Sequence, residues 1–261
     1  STTIVNRVDY GNDTATASPR GPLNRLAALV DATGNVDYGY WGGGYDHSAG
    51  VRSYVSRVDF SNDSVTASPK GDLSHSQWGA AALGTQSYGY WAGGNNTAVS
   101  NVSRIDYGND TSTASPKGNL SAVDNWAGGA GNASYGWIGG GTQGSPGNAV
   151  SQVDRIDYSN DTVTASPKGP LSVNKQQASA SGSDSYGYWG TGTAAPNTTF
   201  ITTVDRIDYS NDTATALVKG SMTDQRRLTG GVSGQENGLS NTTIAAVAAP
   251  VAAGGAAPAE E

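Results

Sequence analysis

One phrase of about 19 residues occurs five times along the chain, and this repetition constrains the fold more than any other feature. It reads VNRVDYGNDTATASPRGPL at its first occurrence and VSRVDFSNDSVTASPKGDL at its second. The copies begin at Val5, Val55, Val102, Val153 and Val204. Their spacing is therefore 47 to 51 residues, and a second phrase, YGYWGGG or a variant of it, lies between successive copies. A period near 50 with several short strand-like phrases is typical of the blades of a β-propeller.

Alternation of side chains predicts four strands, A to D, in each unit. In residues 55–60 charged and apolar side chains alternate, which predicts strand C. The Asn-Asp turn that follows reverses the chain, so residues 64–68 are predicted to return as strand D and to end at Pro69. Residues 78–84 carry small side chains and are predicted as strand A, and the aromatic residues 88–91 are predicted as strand B.

This order of strands resembles the kelch repeat, in which a small-residue strand leads to an aromatic strand that ends in a glycine doublet. The doublets here are Gly42-Gly43, Gly93-Gly94 and Gly139-Gly140, whereas the fourth unit has Gly190-Thr-Gly192. A further departure is that strand D ends in Thr-Ala-Ser rather than around a tryptophan. The resemblance covers residues 1 to about 240 and implies a kelch-like propeller.

The wording of the repeat also resembles a second group of proteins. The string YGYWGGG…RIDYSNDTATASPKGPLS is similar to repeat-rich virion proteins of marine cyanophages, which carry long arrays of this phrase. That resemblance implies a tail, fibre or appendage protein of a phage, and a location in the virion or outside the cell.

Counting the phrases predicts an all-β fold, a five-bladed kelch-like β-propeller. The chain begins with a C–D pair and ends with an A–B pair, whose last strand maps to Asn237–Ser240. Pairing the N-terminal C–D strands with the C-terminal A–B strands would close the ring and remove its free edges. Residues 1–243 would form the propeller, and the Ala/Pro/Gly-rich residues 244–261 a tail or linker. The alternative is an open segment of a longer array.

Most of the charge recurs with the repeat. An Arg-x-Asp pair stands in every unit, and we interpret these pairs as structural, either as ion pairs between blades or as clamps between a strand and a loop. They are Arg7 and Asp9, Arg57 and Asp59, Arg104 and Asp106, Arg155 and Asp157, and Arg206 and Asp208. With the recurring turn aspartate and the recurring Lys or Arg after strand D, they account for 20 of the 37 charged residues.

Composition removes several classes of function. The net charge is −7, which makes nucleic acid an unsuitable partner. The chain contains no run of 18 apolar residues, so no membrane span is predicted. The chain has no Cys, two His and three Glu, and it carries no nucleophile elbow, phosphate-binding loop or metal-binding motif. We therefore expect no enzyme activity, no cofactor and no metal.

The loops between strands B and C differ from unit to unit, and in a repeat scaffold such loops are the expected place for function. The predicted binding residues on that face are Tyr45, Asp46, His47, Arg52, Asn95, Asn96 and Phe200. The sequence thus predicts a non-catalytic structural or receptor-recognition module of an extracellular assembly. Its partners would be other structural proteins of that assembly or a receptor or glycan of the host surface, and homo-oligomerisation stays open. The alternative is a secreted lectin-like propeller with five near-equivalent glycan pockets between blades.

Overall fold

The computed structural model describes residues 2–94, 99–143, 148–194 and 199–233, and within these ranges the protein is all-β. The strands in chain order are β1 (Asn6–Arg7), β2 (Ser18–Pro19), β3 (Asp31–Gly34), β4 (Tyr38–Gly42), β5 (Tyr45–Asp46), β6 (Gly50–Val51), β7 (Val55–Asp59), β8 (Ser68–Lys70), β9 (Ala81–Gly84), β10 (Tyr88–Ala92), β11 (Val102–Asp106), β12 (Ser115–Lys117), β13 (Gly128–Gly131), β14 (Tyr135–Gly139), β15 (Thr142–Gln143), β16 (Asn148–Ala149), β17 (Val153–Asp157), β18 (Ser166–Pro167), β19 (Ser179–Gly182), β20 (Tyr186–Gly190), β21 (Thr193–Ala194), β22 (Thr199–Phe200), β23 (Thr203–Asp208) and β24 (Leu217–Ser221). Short 3-10 turns span Phe60–Asn62, Tyr107–Asn109, Tyr158–Asn160 and Tyr209–Asn211.

Sixteen of these strands form four antiparallel sheets with the same order. Sheet 1 is β3-β4-β7-β8, sheet 2 is β9-β10-β11-β12, sheet 3 is β13-β14-β17-β18 and sheet 4 is β19-β20-β23-β24. Each sheet therefore follows the predicted order A-B-C-D. The N-terminal strands β1 and β2 form a separate pair, and β5-β6, β15-β16 and β21-β22 form small hairpins.

The strand boundaries agree with the sequence prediction for B and C and differ for A and D. Strand A is shorter than predicted, since β9 starts at Ala81. Strand D was predicted to end at Pro69, but β8 begins at Ser68 and contains Pro69, which pairs with Ser56. Residues 64–67, which were assigned to strand D, instead form turn and irregular structure after the 3-10 turn Phe60–Asn62. Proline is tolerated there because β8 is an edge strand.

The hydrophobic core is divided among the spaces between neighbouring sheets. Tyr40 of sheet 1 and Trp91 of sheet 2 are fully buried in one such layer, and Trp137 and Trp189 occupy the layer between sheets 3 and 4. The indole N–H of Trp91 also donates a hydrogen bond of 3.1 Å to the carbonyl oxygen of Asp31 in sheet 1. Large aromatic rings therefore fill much of the space between sheets, together with aliphatic residues such as Leu73 and Ile105.

Neighbouring sheets are also joined by an aspartate. It lies in the C–D turn of one sheet and binds side chains of the sheet before it. Between sheets 1 and 2, Asp110 accepts from Arg57 at 2.7 Å and from the Tyr40 hydroxyl at 2.9 Å, and Lys70 lies 3.1 Å away. The Asp110 side chain is 7% exposed. Burial and the Asp110 carboxylate raise the pKa of Tyr40, so its hydroxyl stays a donor. We call this arrangement the intersheet clamp.

The ion pairs of the intersheet clamp recur along the chain, and the further donor is the Tyr90 hydroxyl at Asp161 and the Trp137 indole N–H at Asp212. Its aspartates and their basic partners are Asp63 with Arg7 and Arg20, Asp110 with Arg57 and Lys70, Asp161 with Arg104 and Lys117, and Asp212 with Arg155 and Lys168. The predicted arginines thus join neighbouring sheets, but the predicted acidic partner requires correction. Asp59, Asp106, Asp157 and Asp208 instead cap the 3-10 turns by accepting a backbone N–H two residues later. Asp9 likewise accepts from the backbone N–H of Gly11.

A glycine after each strand D explains the recurring Lys-Gly or Arg-Gly. The Gly118 N–H donates to the Asp161 carbonyl oxygen of the next sheet at 2.9 Å, and a Cβ on Gly118 would overlap the backbone at Val163. The same close approach occurs at Gly21, Gly71 and Gly169. Neighbouring sheets are therefore held together by main-chain bonds as well as by the clamp.

The fifth repeat unit is divided between the two ends of the described chain. Its C and D strands are β1 and β2, which contact sheet 1 through the Arg7–Asp63 pair, while residues 228–232 lie beside sheet 4. The predicted last B strand, Asn237–Ser240, and the tail 244–261 lie outside the described residues.

The clamp is not made between sheet 4 and the N-terminal pair. Asp13 is the turn aspartate of the N-terminal copy, equivalent to Asp63 in the second. Arg206 packs over Tyr186 at 4.3 Å, and no ion pair within the described ranges joins Arg206 or Lys219 to Asp13. A Cβ on Gly220 would meet no atom within 4 Å, in contrast to the four equivalent glycines. The described residues thus show this clamp at four of the five junctions that a closed ring would contain.

Candidate binding face

The B–C loops and the D–A segments lie at the same end of the sheets. Strand A runs antiparallel to strand B, so the start of β3 lies beside the end of β4, as the pair Asp31 and Gly42 shows. The D–A segment of sheet 1 runs beside the start of β7, with the Leu73 N–H donating to the Ser53 carbonyl oxygen at 2.7 Å. We call this end of the molecule the loop face.

Glycines in the left-handed region start each B–C loop. Gly43 and Gly44 have φ of 71° and 100°, values that side-chain-bearing residues rarely adopt. In sheet 4 the first of these positions is Thr191, with φ of 61°, and Gly192 follows with 103°. The left-handed glycine pair coincides with the predicted doublet in the second unit, but in the first and third units it is Gly43-Gly44 and Gly140-Gly141, one residue later than the doublet named from the sequence. The fourth unit keeps the same backbone path with threonine at the first position.

An aromatic ridge crosses the loop face. Tyr45 on hairpin β5-β6 lies 5.4 Å from His47 and 6.3 Å from Trp78, measured between ring centroids. Trp78 in turn lies 4.9 Å from Trp126 of the next unit, edge to face. Tyr45 and His47 were predicted as site residues, whereas the two tryptophans were not. Their signal was available, because each is a large side chain in a stretch that is otherwise small.

The other residues that were predicted for the binding site differ in their surroundings. Asp46 accepts from the Ser48 hydroxyl and backbone N–H, which lowers its pKa and makes it a turn-forming residue. Arg52 lies over the ring of Tyr54 at 5.6 Å. Phe200 is 38% exposed on hairpin β21-β22, where Arg227 lies 5.7 Å from its ring centre. Asn95 and Asn96 lie outside the described residues.

Segments that come from all five repeat units line one cavity, which we call the central channel. It has a volume of about 630 Å³ and is lined chiefly by residues 27–33, 79–82, 126–129, 177–180 and 228–232. One residue of each segment has a positive φ between 55° and 64°, namely Leu29, Gly79, Trp126, Gln177 and Leu228.

Main-chain hydrogen bonds link these five residues around the channel mouth. The N–H of Trp126 donates to the Gly79 carbonyl oxygen at 2.8 Å, and that of Gln177 donates to Trp126 at 2.9 Å. Gly79 donates to Leu29 and Leu228 donates to Gln177 in the same way. Among the described residues no bond joins Leu228 to Leu29. The positive-φ conformation of these five residues therefore coincides with a row of four main-chain bonds that fixes their relative positions.

Neither a metal-binding cluster nor a membrane-spanning helix is found in the described parts of the chain. No group of three or more His, Cys, Asp or Glu side chains comes close enough there to hold a metal ion. No helix within those ranges is long and apolar enough to cross a membrane.

Four sheets side by side around a common channel make this an all-β, propeller-like protein. A solved structure of a protein named YjhT matches it with a TM-score of 0.71 and 12% identity, covering 88% of this chain and 81% of that one. At that identity the likeness concerns the fold alone. No family model matches the chain, and no curated protein matches it.

Proposed function

We propose that the chain is a non-catalytic recognition and structural module of an extracellular assembly, built as a five-bladed, kelch-like propeller. The proposal rests on a contrast between the repeated charged side chains and the aromatic side chains that occur in single units. Four of the five recurring arginines and four of the five turn aspartates are engaged in intersheet clamps, whereas the aromatic ridge of Tyr45, Trp78 and Trp126 belongs to individual units and lies on one face. Such unit-specific aromatic side chains are typical anchors of binding surfaces.

Ring closure is part of this proposal. Among the described residues the clamp and the glycine contact are missing between sheet 4 and the N-terminal pair, and the bond around the channel mouth is missing between Leu228 and Leu29. Every one of these missing interactions involves the fifth unit. In the closed ring β1, β2 and residues 228–232 would belong to one blade. Arg206 would then pair with Asp13, as Arg155 pairs with Asp212 at 2.9 Å.

The setting that we propose is a phage tail, fibre or appendage, in the virion or outside the cell. It is supported by the wording of the repeat, which resembles virion proteins of marine cyanophages. The partner would be a host-surface receptor or glycan on the loop face, or a neighbouring structural protein of the same assembly.

The ridge can be tested with fluorescently labelled protein and a panel of marine cyanobacterial cells. We expect saturable adsorption to some strains, weakened at least about tenfold by Tyr45→Ala combined with His47→Ala, because a buried aromatic anchor contributes about 2 kcal/mol. Phe60→Ala is the matched control, since Phe60 is a 49% exposed ring at the end of strand C, opposite the loop face. Equal adsorption of both variants and the native chain would contradict the proposed recognition face.

A second candidate is favoured by a groove between sheets 2 and 3. It has a volume of about 530 Å³ and is lined by three tyrosines, Asp157 and several serines, as a glycan site would be. However, the rings of Tyr88 and Tyr135 are already stacked by Arg104 and Arg155, each at 4.3 Å. The groove therefore offers few free ring faces to a sugar, and the lectin reading ranks second. Glycan-array binding that Asp157→Ala abolishes would favour it.

A further inference from the structure

The central channel contains one acidic side chain that the repeat does not explain. Asp31 is the one ionisable residue among the described residues that line the cavity. The equivalent positions of the other units hold Ala81, Gly128, Ser179 and Gly230. Since clamp and cap aspartates recur in the units whereas Asp31 does not, it has no role in the repeated scaffold.

The surroundings of Asp31 lack a positive charge. Its carboxylate accepts from the backbone N–H of Ala80 in the neighbouring unit, and no ion pair within the described ranges includes it. Burial raises its pKa from 3.8 to about 8, against the lowering effect of the Ala80 bond. The free protein therefore holds a protonated carboxyl group at neutral pH, and a cation in the channel would reverse this state.

An indole lies close to the same point. Trp126 packs against Gly79, where its ring atoms would come within 2.9 Å of an added Cβ, and Gly79 precedes the Ala80 that binds Asp31. Trp126 also lines the channel, and so does Trp41. Aromatic faces attract ammonium groups and pack against alkyl chains. A volume of about 630 Å³ is within the range of small-molecule sites.

We propose that the channel binds a small organic ammonium ion, with the ammonium group paired to Asp31 and the alkyl part against Trp126. Binding transfers the Asp31 proton to solvent, so that a carboxylate faces the cation. The cavity is large enough for an alkylamine and is lined mainly by Ala, Gly and other small residues, which leaves Asp31 as the determinant of charge selectivity.

Isothermal titration with n-butylammonium chloride tests this proposal, and 1-pentanol serves as the uncharged probe of similar shape. At pH 7 we expect saturable binding of the amine by the native chain and release of about one proton per ligand, read from buffers of different ionisation enthalpy. Asp31→Asn should weaken binding at least about tenfold and abolish proton release, because the charge-assisted bond is lost.

Asp184→Asn is the matched control, since Asp184 is exposed in an A–B turn and is not among the lining residues. Circular dichroism of each variant checks that it is folded. The proposal is overturned if the native chain gives no saturable heat, if 1-pentanol binds as well as the amine, or if Asp31→Asn binds the amine unchanged.

Discussion

Asp161→Ala is expected to lower the free energy of unfolding by about 3–5 kcal/mol, the largest loss that we predict for any single substitution in this scaffold. The Asp161 carboxylate lies 2.7 Å from Arg104 and 3.2 Å from Lys117, and it accepts from the Tyr90 hydroxyl at 2.8 Å. Its side chain is 7% exposed. Removing it leaves two cations and a buried hydroxyl without their shared acceptor.

Denaturant unfolding followed by tryptophan fluorescence measures this loss, and the melting temperature should fall by about 10 °C. Asp184→Ala is the control, because that exposed side chain makes no ion pair among the described residues. A loss below about 1 kcal/mol for Asp161→Ala would mean that the clamp is a surface ion pair of little energetic weight.

Asp31→Asn is expected to have the opposite effect and to stabilise the protein, increasingly so as the pH rises. The pKa of Asp31 is about 8 in the folded chain, against an ordinary value of 3.8, because of burial. Between these two values the folded state holds a proton that the unfolded state has released. The native chain therefore loses stability as pH rises from about 4 to 8, and the loss is complete above 8.

The asparagine variant carries no such penalty, so its advantage should appear near pH 5 and level off above pH 8. Each pKa unit corresponds to about 1.4 kcal/mol. Because Asp31 is partly accessible from the channel, we expect about half of the full linkage energy, which is about 3 kcal/mol at pH 9.

Unfolding curves at pH 4, 6 and 9 give the three points needed, with Asp184→Asn run in parallel. A constant difference between the Asp31→Asn variant and the native chain at all three values would show that Asp31 is an ordinary solvated carboxylate. Adding n-butylammonium should reduce the advantage of the variant at pH 9, which connects this measurement to the channel site.

The sequence predicted the strands correctly where apolar and polar side chains alternate with a period of two. The aromatic strand B and the charged strand C alternate clearly, and β10 and β11 lie where that alternation predicts them. The prediction of strand D failed because the 3-10 turn Phe60–Asn62 is followed by further turn and irregular residues at 63–67, so that the strand begins at the Ser-Pro-Lys after them. Local propensity does not reveal how far a turn extends before pairing resumes.

The acidic partner of the clamp was wrong for a different reason. In the sequence Arg57 stands two residues from Asp59, but the two play separate parts, since Asp59 caps its own turn and Arg57 reaches Asp110 of the next sheet. Which turn approaches which strand is decided by packing between units. By contrast, aligning the five units of the sequence shows that Asp31 stands where the other units have small uncharged residues.

The division between repeated and unit-specific residues accounts for both proposals. Repeated residues build junctions between sheets, whereas Tyr45, Trp78 and Trp126 on the loop face and Asp31 in the channel occur in single units. A change in a repeated residue should therefore cost stability, and a change in a unit-specific residue should alter binding. The predicted effects of Asp161→Ala and of the Tyr45 and His47 substitutions separate these two outcomes.

Closure of the five units into one ring within one chain is tested most directly by a double-mutant cycle between Asp13 and Arg206. Asp13→Lys and Arg206→Glu are measured singly and together by denaturant unfolding, with the mass of each sample determined by light scattering. We predict a 26.5 kDa monomer in which the exchanged pair restores at least about 1 kcal/mol relative to the sum of the single losses. Strict additivity in the monomer, or coupling that appears in larger assemblies alone, would contradict closure within the chain.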